Sequence, residues 1–437
     1  MAHSITGASA VEIASSVEAG VREGALGAGA RLPTVRALAE RLRVSPTTVA
    51  AAYRNLRLRG LVVAAGRRGS AISHHPPIGA HPAQVVPAHA RDLASGNPDP
   101  ELLPAIGPSL RAIDPAHVFY GDGLCEPELV RAARKGFASD SIPAESLTVV
   151  SGALDGIERV LTAWLRPGDR VAVEDPGFPA VFHLLSALGM SAVPVGVDDA
   201  GPVPDELAQA LARGVQGLVL TTRAQNPFGS ALDERRAREL RGLLRAHPAV
   251  LVIEDDHGGA VAGAPACTVA GASERWAVAR SVSKALGPDL RLALLAGDAA
   301  TVARVEGRQS LGIRWVSHIL QRTTAGLLAS RVVAKQLRAA ERAYTERRRA
   351  LIGELERRGI AAFGRSGMNV WVPVPDEDAV AAALAAAGWA VSTGARFRIK
   401  SPPAVRVTTS TLDPSEAAEV AEALARALRP AGRSLGV

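Results

Sequence analysis

The chain has 437 residues, 47% of them apolar but only 3% aromatic, so it is too long for one ordinary domain and must pack its core mainly from Ala, Val and Leu. Its net charge of +7 is concentrated: residues 1–73 hold ten Arg against four Glu, a net +6, which leaves +1 for the other 364 residues and suggests a polyanionic partner for the N-terminal segment. Two distant cysteines, Cys125 and Cys267, exclude a disulfide framework or a thiolate metal cluster; with no membrane-length apolar run and no signal-peptide pattern, a cytoplasmic protein without membrane or metal is expected.

Residues 9–23 have helical spacing, with Val11, Ala14, Val17 and Val21 on one face, and Gly24, Gly27 and Gly29 break the helix. A second short helix is expected over residues 34–41, then a tight connection at Arg43 and Val44. Ser45 is a natural N-cap and Pro46 suits the first helical position, so a third helix runs from there to about Arg59, where Gly60 ends it. Residues 61–65, a Gly66–Gly69 turn and residues 70–73 read as a hairpin, which completes the order of a winged helix-turn-helix domain over residues 1–73. Residues 74–90, rich in Pro, His and Ala without a period, read as a semi-extended linker. Residues 91–437 then alternate helices with short apolar strands at 171–175, 217–222, 250–256, 276–281 and 292–297, the pattern of a mostly parallel α/β sheet, and end in a smaller C-terminal part with a sheet piece at 405–410. No internal repeat is present.

The segment LPTVRALAERLRVSPTTVAAAYRNLRLRGLVVAAGRRGS resembles the GntR family of bacterial regulators over about 65 residues. The resemblance implies a recognition helix whose N-terminal residues meet base edges of double-stranded operator DNA. Ser45, Thr47 and Thr48 are small hydrogen-bonding residues at that end. Arg36 can reach a phosphate or a guanine edge, and Arg54, Arg67 and Arg68 are placed for phosphates or a minor groove. Some family members carry Arg inside this helix where the chain has Pro46 and Ala50, which implies sparser base readout here.

SVSK at 281–284 follows an apolar strand and resembles the Schiff-base signature of fold-type-I pyridoxal 5′-phosphate (PLP) proteins. A lysine amine is needed to bond the PLP aldehyde, and Lys284 is one of only four lysines in the chain. The resemblance implies that Ser281, Ser283 and Arg291 bind the phosphate. It assigns the same task to the SGALDG segment, through Ser151, Ala153 and Leu154 at a helix start. In EDPGF, Phe178 matches the aromatic that stacks on the pyridine ring; in AQNPFG, Asn226 matches the donor to the ring oxygen. In IEDDHGG, Asp255 matches the carboxylate that keeps the ring nitrogen protonated, and Asp256 reads as structural. Tyr120 resembles a tyrosine that reaches the phosphate of the other subunit, and Arg406 the arginine that clamps a substrate α-carboxylate. His257 departs from the family, which often has Tyr there; an imidazole replaces that contact but titrates near neutrality. The EDDH run resembles the PtsJ-type regulators associated with vitamin B6 salvage.

A GntR-like head, a proline-bearing linker and an aminotransferase-like body together resemble the MocR subfamily of regulators. The resemblance implies a domain-swapped homodimer that reads paired half-sites and senses PLP or a PLP–amine adduct formed with an amino-acid or amine effector. The alternative is a catalytically active aminotransferase with an appended DNA-binding head, since Lys284, Asp255 and Arg406 are the residue types that transamination uses.

Overall fold

The computed structural model describes residues 4–58, 60–64, 69–73, 86–113 and 116–429. Helix α1 (Ala10–Arg22) begins where the Ser9 hydroxyl accepts the Glu12 N–H at 3.2 Å and Glu12 in turn accepts the Ala8 N–H at 2.8 Å. Its buried face is Ile13, Ala14, Val17 and Gly20. Val11, expected on that face, is 68% exposed. It stands two positions before Ile13, a step of roughly 200° round the helix, which puts it on the opposite side. Helix α2 (Val35–Leu42) is capped by Thr34, whose hydroxyl accepts the Ala37 N–H. Arg43, at φ 55°, turns the chain into helix α3 (Pro46–Leu58). Gly60, at φ +69°, closes α3, with the Leu61 N–H returning to Leu56 O at 2.9 Å. Strands β1 (Val62–Ala64) and β2 (Ser70–Ile72) pair antiparallel, and Ile13, Val17, Leu38, Val49, Tyr53 and Leu56 fill the core of this unit. Arg59, Arg67 and Arg68 lie outside the described residues.

The remaining elements build two sheets. The small one joins β3 (Arg91–Leu93), β12 (Asn369–Pro373), β13 (Trp389–Thr393) and β14 (Ala404–Thr408) in the order β12-β14-β13-β3. The large one contains β4 (Ser146–Val150), β5 (Arg170–Asp175), β6 (Ser191–Asp198), β7 (Gly201–Pro202), β8 (Gly217–Leu220), β9 (Leu251–Asp256), β10 (Arg275–Ser281) and β11 (Ala293–Gly297). Their order is β4-β11-β10-β9-β8-β5-β6-β7. Strands β5, β6, β8, β9 and β10 are parallel, while β11 runs antiparallel between β10 and β4. The central strands are buried on both faces, which is why they read as unbroken apolar runs. Strand β6 did not read as one, because it is half-buried and interrupted by Pro194 and Gly196. Among the described residues no helix is long and apolar enough to cross a membrane, and no group of His, Cys, Asp and Glu is arranged to hold a metal ion.

The end of β9 is held by a buried charge network. Asp256 accepts from Arg223 through both oxygens at 2.9 Å and from Arg280 at 2.6 Å, and both guanidiniums also reach Asp140, at 3.0 and 2.6 Å. Burial opposes the charge on Asp256, but hydrogen bonds and charge from the two arginines outweigh it and hold the carboxyl far below its ordinary range. Replacing Asp256 with Ala leaves two arginines short of their acid, and we expect a loss of about 3–5 kcal/mol in urea unfolding of the apoprotein. Because the folded-state pKa is depressed, the stability that Asp256 supplies is complete above the unfolded carboxylate value of ~3.9 and is lost as pH falls below it. Stability of the Asp256→Ala protein should therefore fall less steeply with acid than that of the native chain.

Candidate functional site

Chain ends from five parallel or co-aligned strands meet at one edge of the large sheet. These are the C-terminal ends of β4, β5, β8, β9 and β10, the edge where ligands bind in open α/β sheets. Asp255 is the last residue but one of β9, Ser281 closes β10 with Lys284 in the short helix that follows, and Ser151 follows β4.

Lys284 Nζ donates to the Gly96 carbonyl at 2.6 Å. Burial, with the nearby charge of Arg406, lowers its amine to about 8, so a large neutral fraction is present near physiological pH. Arg406 is buried on β14. It donates to Asn226 Oδ1 at 2.9 Å and to the Ala94 carbonyl, and its guanidinium carbon lies 4.7 Å from the centre of the Phe397 ring. Burial and the neighbouring Arg396 lower it to about 9. Gly96, at φ +70°, separates the two cations: a methyl group there would stand 3.3 Å from an Arg406 Nη. Two polar atoms aimed into this region, Asp255 Oδ1 and Arg406 Nε, are fully buried without a hydrogen-bond partner among the described residues. The other oxygen of Asp255 is 3.7 Å from His257 Nδ1.

The helix Ala153–Trp164 starts at Gly152, φ +100°, without a side-chain cap, so its first-turn N–H groups are directed to whatever binds there. Arg291 flanks it, since a methyl on Gly152 would be 3.3 Å from an Arg291 Nη. Thus Ser151, Ala153, Leu154 and Arg291 share one corner. Ser281 is buried, and its hydroxyl accepts the Ser283 N–H at 3.1 Å. Phe178 caps the helix Pro179–Ala187 and is half-buried against the core. Tyr120 is not drawn in: it is 79% exposed, 5.6 Å from the Trp315 ring and beneath Arg314.

Several site residues escaped the sequence reading. Ala94 and Gly96 act through backbone carbonyls, which carry no side-chain signature. Gln225 bridges Glu174 Oε2 and the Pro176 carbonyl through Nε2, at 3.2 and 2.9 Å, and behind it Glu174 accepts the Thr221 N–H at 3.1 Å. Burial, reinforced by the charge of Asp255, raises Glu174 to about 7 against these hydrogen bonds. The only sequence signal for Glu174 and Gln225 was that they stand in the EDPGF and AQNPFG segments.

On the head, Arg36, Ser45, Thr47 and Arg54 are exposed and Thr48 is half-exposed. Ser45 Oγ caps α3 by accepting the Thr48 N–H at 3.1 Å. It also bonds the hydroxyls of Thr47 and Thr48 at 2.6 and 2.8 Å, which gathers three hydroxyls at the start of the recognition helix.

Two protein-family models match the chain. Residues 9–72 match the model of bacterial regulatory proteins of the gntR family, and residues 90–424 match aminotransferase class I and II. The molecule is thus a DNA-binding transcription regulator built on an aminotransferase fold. The chain belongs to the aminotransferase class I and II family and has the MocR-type architecture. It is 40% identical over 431 residues to the vitamin B6 salvage pathway transcriptional repressor PtsJ of Salmonella typhimurium, covering 97% of this chain and all of that one. It is 25% identical over 347 residues to the pyridoxine biosynthesis transcriptional regulator PdxR of Corynebacterium glutamicum, covering 75% and 74%. Its fold is similar to that of a kynurenine aminotransferase from Pyrococcus horikoshii, with a TM-score of 0.71 and 21% identity over 78% of this chain and 91% of that one.

The cofactor of this family, PLP, fits the donor set. A buried carboxylate oxygen without a partner suits a protonated ring nitrogen, a lysine that is partly neutral near physiological pH suits an aldehyde, and an uncapped helix start beside an arginine suits a phosphate. Uptake of PLP by the apoprotein should quicken with pH up to about 8 and then level off, because only the neutral Lys284 amine reacts. In Arg406→Ala the inflection should move to higher pH, since a neighbouring positive charge is gone. Stopped-flow absorbance across pH checks both; an inflection in the native chain near the free-lysine value of ~10.4 would contradict the buried amine.

Proposed function

We propose that the chain represses or activates transcription in response to PLP, or to PLP combined with an amine effector, and that its genes belong to vitamin B6 metabolism. The observation that carries this reading is the pair of buried, unpartnered polar atoms, Asp255 Oδ1 and Arg406 Nε, near the desolvated Lys284 amine, in a chain whose head exposes a hydroxyl-capped recognition helix. The 40% identity to a vitamin B6 salvage repressor supports the choice of pathway.

Bound PLP supplies a reactive aldehyde and an electron-withdrawing ring. Lys284 would hold it through Nζ, Asp255 would keep the ring nitrogen protonated, and Asn226 and His257 would bond the ring oxygen. Phe178 would cover one ring face. Ser281, Ser283, Arg291, Ser151 and the backbone N–H groups of Ala153 and Leu154 would bind the phosphate. Arg406 would hold an effector carboxylate, for which its buried and only partly satisfied guanidinium is suited.

The working form is a homodimer, each head lying over the other subunit's body. The exposed apolar residues Phe119, Tyr120, Leu311, Ile313 and Ile319, around the Tyr120–Trp315 and Trp315–His318 ring contacts, support an interface. Tyr120 would then reach the phosphate bound by the other subunit. Such a regulator works in the cytoplasm, where its DNA is.

A footprint on the DNA upstream of the gene, with and without PLP, tests the reading. Protection should change with PLP in the native chain and should not change in Lys284→Ala shown to lack bound PLP. If Lys284→Ala without PLP matches the native chain under PLP, the pocket does not control the head. Protection that ignores PLP but responds to added amino acids would make the amine effector the signal.

A further inference from the structure

The head meets the body at a close contact. Gly60, which ends the recognition helix α3, lies against Ser186 in the helix Pro179–Ala187. Ser186 Oγ donates to the Gly60 carbonyl at 2.8 Å, and a methyl group on Gly60 would stand only 2.1 Å from the Ser186 carbonyl oxygen. Glycine at 60 is thus required twice, by its positive φ and by this approach. Ser186 is 8% exposed with the head in place.

The opposite end of the same helix starts from a loop bonded to neighbours of Asn226 and Arg406. Phe178 is its N-cap, and residues 175–178 are bonded from three sides. Asp175 accepts the N–H groups of Ile399, Lys400 and Ser401 at 2.8, 2.8 and 3.1 Å. The Gly177 N–H donates to Phe397 O at 2.7 Å, and the Pro176 carbonyl accepts from Gln225 at 2.9 Å. Gln225 adjoins Asn226, and Phe397 packs under Arg406. A change in what Asn226 and Arg406 hold therefore acts on the loop that starts the helix. The helix is about 13.5 Å long, and Val181, Phe182 and Leu185 fix one face of it in the core, so it shifts as a unit.

We propose that the helix Pro179–Ala187 couples the cofactor pocket to DNA reading, with Ser186 as the body's docking point for the Gly60 turn of the head. This rests on the PLP-responsive reading above. Occupancy of the pocket changes the position of the Ser186 end, and the head follows because its recognition helix ends on that residue. PLP biases the head only by binding more tightly to one of the two docking arrangements. The contact lies within one chain in the structure described here; an exchange of heads between subunits would join the same two surfaces.

The test uses the full chain, an operator duplex and fluorescence anisotropy with and without saturating PLP, with PLP uptake measured separately by equilibrium dialysis. In the native chain PLP should change DNA affinity by a factor in the usual coupling range, about 5–150-fold. Ser186→Arg, which fills the docking point, should take up PLP as before but show a factor near 1. Ser186→Ala, which removes only the hydroxyl, should give an intermediate factor. A Ser186→Arg protein that binds PLP and keeps the native factor overturns the coupling and leaves the PLP reading standing. A native chain whose DNA affinity ignores PLP overturns both. If Ser186→Arg does not fold, an unchanged factor in Ser186→Ala overturns the coupling.

Discussion

Two adjacent carboxylates at the end of one buried strand set the terms for the rest of the body. Successive side chains of a strand point to opposite faces, so Asp255 and Asp256 on β9 enter different surroundings. Asp256 meets two arginines and is fully satisfied, which fixes the strand end in place. Asp255 keeps one buried oxygen without any donor. An unsatisfied buried carboxylate oxygen costs folding free energy, and it persists where the surrounding structure over-determines it. The satisfied acid holds the unsatisfied one in position.

The same economy recurs around the pocket. The Lys284 amine is desolvated until it is partly neutral, and Arg406 is buried with carbonyls and an amide in place of an acid. The helix Ala153–Trp164 begins uncapped beside Arg291. Each of these groups is less stable alone than it would be with a complementary ligand, so ligand binding and folding of the body are linked. A chain that carries a cofactor site and a DNA-reading head has the two distinct sites that allosteric control requires; the helix Pro179–Ala187 bonds the head through Ser186, and the loop before it is bonded to Gln225 and Phe397.

The head was legible almost element by element, because its caps and turns are local. Ser45 before Pro46, Thr34 before α2 and Gly60 after α3 are each decided by neighbours within a few residues. The exception is the phase of α1, where Val11 was put inside and Ile13 missed; tertiary packing against α3, not local chemistry, chose the buried face. In the body the strands buried on both faces were legible as apolar runs, and the half-buried strand β6 was not. The pairing of β3 with β13 joins residues some 300 positions apart, which no local pattern encodes. In the pocket, the side chains that carry a family motif could be named in advance. The carbonyls of Ala94 and Gly96, the Gln225 bridge and the buried Glu174 could not, since the carbonyls act without a side-chain signature and the Gln225–Glu174 contact forms only when β5 and β8 pair.

Thermodynamic reciprocity offers the most direct check on the link between pocket and head. Calorimetric titration of PLP into the apoprotein, alone and saturated with operator duplex, measures the coupling from the cofactor side. If pocket and head are coupled, operator DNA must change PLP affinity by the same factor by which PLP changes DNA affinity. Equal PLP affinity with and without DNA would contradict the account, and the head and the body would then be independent units that share a chain.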